Sequence, residues 1–244
     1  MKGKDILLLK QMIEESKNIV VFTGAGVSTD SGLKDFRSKD GIYNIQLDYD
    51  KRPEYMLSSN CFYKETELFY NFYWKYMIQD NVKPNITHKY LKTLEDRGKL
   101  KAVVTQNIDG LHTLAKNKKV YEIHGTIYKN HCIKCGKEYE LEYLKKKGIP
   151  YCECGGVIKP DVVLYGECLP SDIYEGAIRE IRNCDMLMVL GTSLTVYPAS
   201  DLVNYFHGKY LVIINRDATI CDYKADLVIN KELKEIFSKL EKMK

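Results

Sequence analysis

Ile19-Val20-Val21-Phe22-Thr23-Gly24-Ala25-Gly26-Val27-Ser28 sets a short apolar, β-branched run directly before a glycine-containing turn. Such a run, closed by a turn signal, reads as a strand buried on both faces. Similar runs recur at residues 102–105, 162–165, 186–190, 211–214 and 227–229. Between several of them lie helical patterns. Ile173, Ala177, Ile178 and Ile181 follow a Pro170-Ser171 start, while Tyr90, Leu91 and Leu94 follow Thr87 as a cap and stop at Gly98. Leu233, Ile236, Phe237 and Leu240 mark a last helix docking on the sheet. Buried strands alternating with helices predict an α/β fold, a Rossmann-like and mostly parallel sheet with helices on both faces.

Two segments interrupt this alternation. Residues 39–85 are rich in Tyr and Phe, hold the only Trp, Trp74, and show helical patterning around residues 62–77, which predicts a helical insertion. Residues 128–158 hold four of the eight cysteines among Lys, Glu and Gly, with no apolar run long enough for a core of their own. They read as a metal-stapled insertion that forms, with the helical one, a small module on a single domain spanning 1–244. At 244 residues, 45% hydrophobic and 29% charged, the composition is that of a globular protein and excludes collagen-like, coiled-coil and disordered chains. A net charge of +4 with interspersed signs gives no sequence-specific nucleic-acid binder. No run approaches the roughly 20 apolar residues of a membrane span, and residues 6–9 are too short for a signal-peptide core. A cytoplasmic protein is expected. With no tail beyond the core pattern, a monomer is the default expectation.

Chemistry concentrates in four places. The Thr23-Gly24-Ala25-Gly26-Val27-Ser28 turn can bring backbone close to a phosphate at the start of a helix, though an ordinary strand-to-helix turn would use the same residues. Thr29 stands where the third Gly of a dinucleotide fingerprint would fall, so an ordinary dehydrogenase fits poorly. Cys132-x2-Cys135, sixteen residues, then Cys152-x-Cys154 can present four thiolates tetrahedrally, as a closed structural zinc site requires. His131 is a competing ligand by position, and Cys61, Cys168, Cys184 and Cys221 read as buried thiols. Thr105-Gln106-Asn107-Ile108-Asp109-Gly110-Leu111-His112 puts polar groups at a strand's carboxyl end, where open α/β sheets bind ligands and where a turn and cap would also use them. Glu122-Ile123-His124-Gly125 then places a histidine beside a glycine, directly before the cysteine module.

In this order the blocks resemble the sirtuin family of NAD-dependent protein deacylases, over nearly the whole chain. Gly24-Ala25-Gly26-Val27-Ser28, Ser31-Gly32 and Asp35-Phe36-Arg37 resemble its N-terminal signature, and residues 105–112 its T-Q-N-I-D-x-L-H block. His124-Gly125 resembles its catalytic dipeptide, residues 159–167 its acyl-lysine strand, and residues 191–198 its ribose and adenine loop. The resemblance implies that Gly24, Ala25, Gly26, Thr29, Asp35, Phe36, Arg37, Gln106, Asn107, Ile108, Asp109, His124, Gly191, Thr192, Ser193, Asn215, Arg216 and Glu232 bind NAD. It implies that Val162, Val163, Leu164, Gly166, Glu167, Leu194, Val196 and Tyr197 bind acylated lysine peptides or proteins. Catalysis falls to His124, Asn107 and Asp109, and Cys132, Cys135, Cys152 and Cys154 hold zinc. The implied reaction moves the acyl oxygen onto ribose C1′ as nicotinamide leaves, with His124 as general base on a ribose hydroxyl. Its products are free lysine, nicotinamide and O-acyl-ADP-ribose.

Three departures stand out: Lys34 where the family usually has Pro, Leu164-Tyr165 where two Phe are common, and a one-residue gap in the second cysteine pair. Family members that remove succinyl groups resemble one another in a Tyr-x-x-Arg pair. Here Tyr70 is followed by Tyr73 in the arginine's place, which implies an apolar acyl pocket suited to acetyl or a longer apolar chain. Two competing functions use parts of the same set. A protein mono-ADP-ribosyltransferase would consume NAD without acyl-lysine, and a non-catalytic zinc-ribbon module would need the cysteines alone.

Overall fold

The computed structural model describes residues 3–36, 41–44, 50–144 and 147–243. Helix α1 (Lys4–Glu15) leads into strand β1 (Ile19–Thr23), and after the Gly-rich turn come α2 (Pro53–Met56), α3 (Ser59–Lys64) and α4 (Thr66–Tyr76). Next are α5 (Ile86–Asp96), β2 (Leu100–Thr105), α6 (Leu111–Leu114) and β3 (Val120–Glu122). The cysteine-bearing stretch gives β4 (Gly125–Cys132), β5 (Glu138–Glu140), α7 (Leu141–Leu144) and β6 (Ile158–Val162). The chain ends in α8 (Ser171–Asn183), β7 (Met186–Leu190), β8 (Tyr210–Ile214), β9 (Leu227–Ile229) and α9 (Leu233–Lys242).

Six strands form one sheet in the order β3-β2-β1-β7-β8-β9, every neighbour parallel. Successive side chains of a strand point to opposite faces, so a continuous apolar run serves two cores at once. Ile19 and Val21 of β1 join Met186 and Met188 of β7 in one core with α1, α5 and α9. Val20, Phe22, Leu187 and Val189 join the other, under α8 and the 3-10 segment at residues 199–205. Phe237 of α9 is fully buried, and a side chain of that size contributes about 1.5–3 kcal/mol on leaving water. The predicted layered sheet is therefore present, and it turns back at β1, with β2 on one side and β7 on the other. At such a reversal the strand ends open a crevice.

A second sheet, β5-β4-β6, is antiparallel. It packs against the helical segment: Phe62, Phe69, Tyr70 and Tyr73 share a core with Ile127, Val162 and Leu164, and the Tyr70 hydroxyl donates to the Ile158 carbonyl.

Four local expectations are corrected. The run at 162–165 is no strand of the parallel sheet, since only Val162 belongs to β6, and Tyr165 makes a lone bridge with Ser58. An apolar run does not name its partner: Val162 and Leu164 are buried by the helical segment, while Tyr165 is exposed. The cap of α5 is Asn85, whose side chain accepts from Thr87 N while His88 closes a reciprocal capping box. Its Nδ2 also donates to Val27 O at 2.8 Å, tying the helix to the Gly-rich turn. No α-helix follows that turn. Two single 3-10 turns, Ala25–Val27 and Thr29–Ser31, stop at left-handed Gly32, so the axial dipole expected there is missing. Cys168, finally, is exposed rather than buried.

Candidate active site

A cavity of about 390 Å³ opens beyond the carboxyl ends of β1, β2 and β7. Every cofactor- and substrate-binding candidate among the described residues lines it except Leu194. Leu194 is fully buried with φ +56°, a left-handed conformation that a bulky residue holds only when packing overrides the strain. Arg37 lies outside the described residues, as does part of the 39–85 segment.

The glycines of the first turn are demanded by the protein itself. A Cβ on Gly24 would stand 2.7 Å from Thr192 Cβ, and one on Gly26 would stand 2.8 Å from Gly191 Cα. Gly26 N donates to Gly191 O at 2.8 Å, so the turns after β1 and β7 close back to back and form one wall of the cavity. Gln106 Nε2 reaches Thr192 Oγ1 at 2.9 Å and ties the turn after β2 to the same wall.

Polar residues of the β2 turn converge through a serine. Ser28 Oγ donates to Asp109 Oδ2 at 2.6 Å and accepts from Asn107 Nδ2 at 3.1 Å, while Leu111 N donates to Asp109 Oδ1 at 2.9 Å. Burial raises the Asp109 pKa above the usual carboxylate value, and these hydrogen bonds pull the other way. His124 Nδ1 sits 2.9 Å from Gln106 O. A carbonyl only accepts, so Nδ1 carries the proton and Nε2 keeps its lone pair. Burial lowers the His124 pKa below the ordinary histidine value, which favours this neutral tautomer.

The four paired cysteines place their Sγ atoms within 4.8 Å of one another, with Cys132 to Cys154 at 3.5 Å and Cys135 to Cys152 at 3.6 Å. Tetrahedral zinc with Zn–S of about 2.3 Å needs sulfurs roughly 3.8 Å apart, so the set fits that ion. The short Cys152-x-Cys154 gap closes because Cys152 N donates to Gly156 O and Gly155, at φ +78°, donates back to Cys152 O. Any side chain on Gly156 would strike Cys132 Sγ at 2.6 Å. His131 is not among the side chains that converge on this site, and its Nδ1 faces Asp161 Oδ1.

The Sir2 family model matches residues 24–198. The chain belongs to the Sir2 family. It is 49% identical over 231 residues to an NAD-dependent protein deacetylase of Clostridium acetobutylicum, covering 93% of this chain and 94% of that one. A second, from Clostridium perfringens, is 49% identical over 235 residues, 95% and 96% of the two chains. Among solved structures, a Sir2 with deacetylated p53 peptide and 3'-O-acetyl ADP ribose matches with TM-score 0.89 at 36% identity, over all of this chain and 98% of that one. A Sir2 with p53 peptide and NAD+ matches with TM-score 0.85 at 36% identity and the same coverage.

Within this Sir2 fold, Gly125 is the described glycine where an added Cβ would meet the closest neighbour. Its φ is +76°, and a Cβ there would lie 1.9 Å from Asp161 O on the paired strand. Gly125→Ala combines left-handed strain with overpacking against backbone, and should cost about 3 kcal/mol or more. Thermal melting should fall by roughly 6–12 °C for a chain of this size, and a drop under about 2 °C would contradict the clash.

Two contributors escaped the sequence reading. Ser28 was visible only as a turn residue, because its role as the bridge between Asn107 and Asp109 needs two loops 79 positions apart brought together. Lys159 is 7% exposed, and its Nζ meets Glu167 Oε2 at 3.1 Å and Val162 O at 3.2 Å. Glu167 also accepts from Leu164 N at 2.9 Å. The Glu167 carboxylate thus holds the 163–167 turn in shape although the residue lines the cavity.

Proposed function

We propose that this Sir2 family member removes acetyl groups from protein lysines with NAD as co-substrate, releasing nicotinamide, free lysine and O-acetyl-ADP-ribose. The observation that carries the proposal is the His124 imidazole, neutral and aimed by Gln106 O, on the wall of a cavity that joins the Gly-rich turn to an apolar end. Supporting it are relatives named as NAD-dependent protein deacetylases and a Sir2 solved bound to acetylated peptide.

In this reading Gly24, Ala25, Gly26 and Thr29 face the phosphates, and Thr192, Ser193, Asn215, Arg216 and Glu232 face the adenosine half. With no helix dipole behind the turn, backbone N–H groups and nearby cations carry the anion binding. Asn107, Ile108 and Asp109 form the pocket for the nicotinamide carboxamide, their geometry locked by Ser28. Phe36 covers the reacting ribose. His124 takes a proton from a ribose hydroxyl at Nε2. The peptide lies as an added strand between residues 163–167 and Val196-Tyr197, so its backbone supplies most of the affinity. Tyr165 N and O are already held by Leu57 O and Ser59 N, which leaves neighbouring groups to pair with the peptide. Zinc supplies structure only, because four thiolates leave no position for water.

Residues 1–244 then act as one catalytic domain with insertions at 39–85 and 128–158. A monomer in the cytoplasm suits these properties, and no helix among the described residues is long and apolar enough to cross a membrane. Mass spectrometry of the protein with NAD and an acetyl-lysine peptide, beside a peptide-free tube and a succinyl-lysine tube, tests the reading. Deacetylated peptide should appear in step with nicotinamide. NAD loss without peptide would point to ADP-ribosyl transfer instead, faster succinyl removal would overturn the apolar pocket, and no consumption by folded protein would leave a binding module.

A further inference from the structure

Strand β5 is three residues long, and alternation leaves Glu138 and Glu140 exposed while Tyr139 turns toward the cysteines. Its ring packs against the cluster of Cys132, Leu144, Cys152 and Ile158. The Tyr143 ring lies beside it at 4.7 Å and 31°, and Lys137 Nζ stands 5.5 Å from its centroid. Asn130, its pairing partner on β4, donates from Nδ2 to its carbonyl at 3.3 Å. Held in this way, the phenol aims its hydroxyl at Cys152 Sγ, 3.0 Å away. Phenylalanine would supply the same ring for packing, and what tyrosine adds is a donor.

We propose that Tyr139 is a positioning residue of the zinc site, whose hydroxyl donates to the Cys152 thiolate and sets how firmly the ion is held. The inference rests on zinc at the four cysteines and is independent of the deacetylase reading. Zinc takes thiolates rather than thiols, so with the metal in place Cys152 Sγ carries no proton and the phenol must be the donor. Four thiolates around a divalent ion leave a double negative charge, and Cys152, 5% exposed, has little water to share its part of it. A hydrogen bond to an ionised group is roughly twice as strong as a neutral one. Cys132, the other buried sulfur, accepts from the backbone, Lys134 N at 3.4 Å, which the turn itself supplies. Cys152 draws instead on a side chain 13 positions away, so the bond also ties β5 to the turn that carries the second cysteine pair.

The test uses the full chain, natural and Tyr139→Phe, with Tyr143→Phe as the control, because the Tyr143 hydroxyl donates to the Tyr151 carbonyl at 3.3 Å and not to a sulfur. Competition with a chromogenic chelator reads the zinc dissociation constant. It should rise about ten- to hundredfold in Tyr139→Phe and stay within about twofold in Tyr143→Phe. Cobalt in place of zinc gives a readout that lost packing would not move. Its thiolate-to-metal charge-transfer band should shift to longer wavelength in Tyr139→Phe, since a sulfur without its donor holds its lone pair less tightly. Both changes are required: zinc affinity within about twofold of the natural protein, or a weaker affinity with the cobalt band unmoved, would overturn the assignment. A natural protein that bound no zinc would sink it together with the metal reading. Should Tyr139→Phe fail to hold metal at all, the natural protein loaded with an NMR-active cadmium isotope decides. The Tyr139 hydroxyl proton should show scalar coupling to the metal through Cys152 Sγ, and absence of that coupling would overturn the inference.

Discussion

His124→Ala should lower kcat for an acetyl-lysine peptide by about 100- to 10,000-fold, the usual contribution of a positioned general base. The expectation follows from the hydrogen bond to Gln106 O, which fixes the ring and leaves Nε2 as the only nitrogen free to take a proton. The substitution removes one hydrogen bond, worth about 1 kcal/mol, so the fold should survive. The pH dependence has a defined sign. Burial holds the His124 pKa below its ordinary value of 6.5, so the active neutral form is fully present above pH 6.5, and the rate falls as pH drops through the lowered value. The variant should lose this acid limb along with its rate. Peptide binding with turnover above a tenth of the natural rate would rule out His124 as the base. Unaltered binding with no turnover in either protein would favour the non-catalytic module.

Legibility in the sequence followed physical cause. The parallel sheet could be read because a strand buried on both faces is apolar without interruption, as in Ile19–Thr23 and Met186–Leu190. The second sheet could not. Residues 138–140 of β5 are Glu-Tyr-Glu, two of them exposed, and their pairing with β4 is set by the cysteine turn rather than by hydrophobicity. His124 took its role from the resemblance of His124-Gly125 to the family's dipeptide, and the structure gives that glycine its reason, a left-handed φ and a backbone oxygen where a Cβ would be. The first-turn glycines were read as room for phosphate, whereas their contacts are with Gly191 and Thr192, 165 or more positions away. Ser28 and Asn85 act across such loop-to-loop junctions, and a single sequence carries no mark of them. Asn85 was missed also because Thr87 is itself a good cap residue, and position alone did not separate the two.

Stripping zinc should abolish deacetylation while leaving the parallel sheet folded. The core at the cysteines is small, with Cys132, Leu144, Cys152 and Ile158 buried and Trp74 and Tyr139 packed beside them, so little besides the metal holds this end together. Structural zinc contributes about 10–16 kcal/mol in small peptide modules, far more than that cluster can replace. The loss should travel to the active site along the chain. β6 pairs with β4 up to Cys132, beside the cysteine turns, and it runs directly into Val163, whose N–H is held by His124 O at 2.9 Å. The two large cores contain none of the four cysteines, so their sheet should keep its circular dichroism and a cooperative melt. Trp74, the only tryptophan, donates from Nε1 to Gly148 O at 2.8 Å and reports on this end alone. Treatment with a strong chelator should therefore shift its emission to the red and remove peptide turnover together, and zinc should restore both. Metal-free protein that turned over peptide at the natural rate, with Trp74 emission unmoved, would show that the four cysteines are dispensable for the fold of the site.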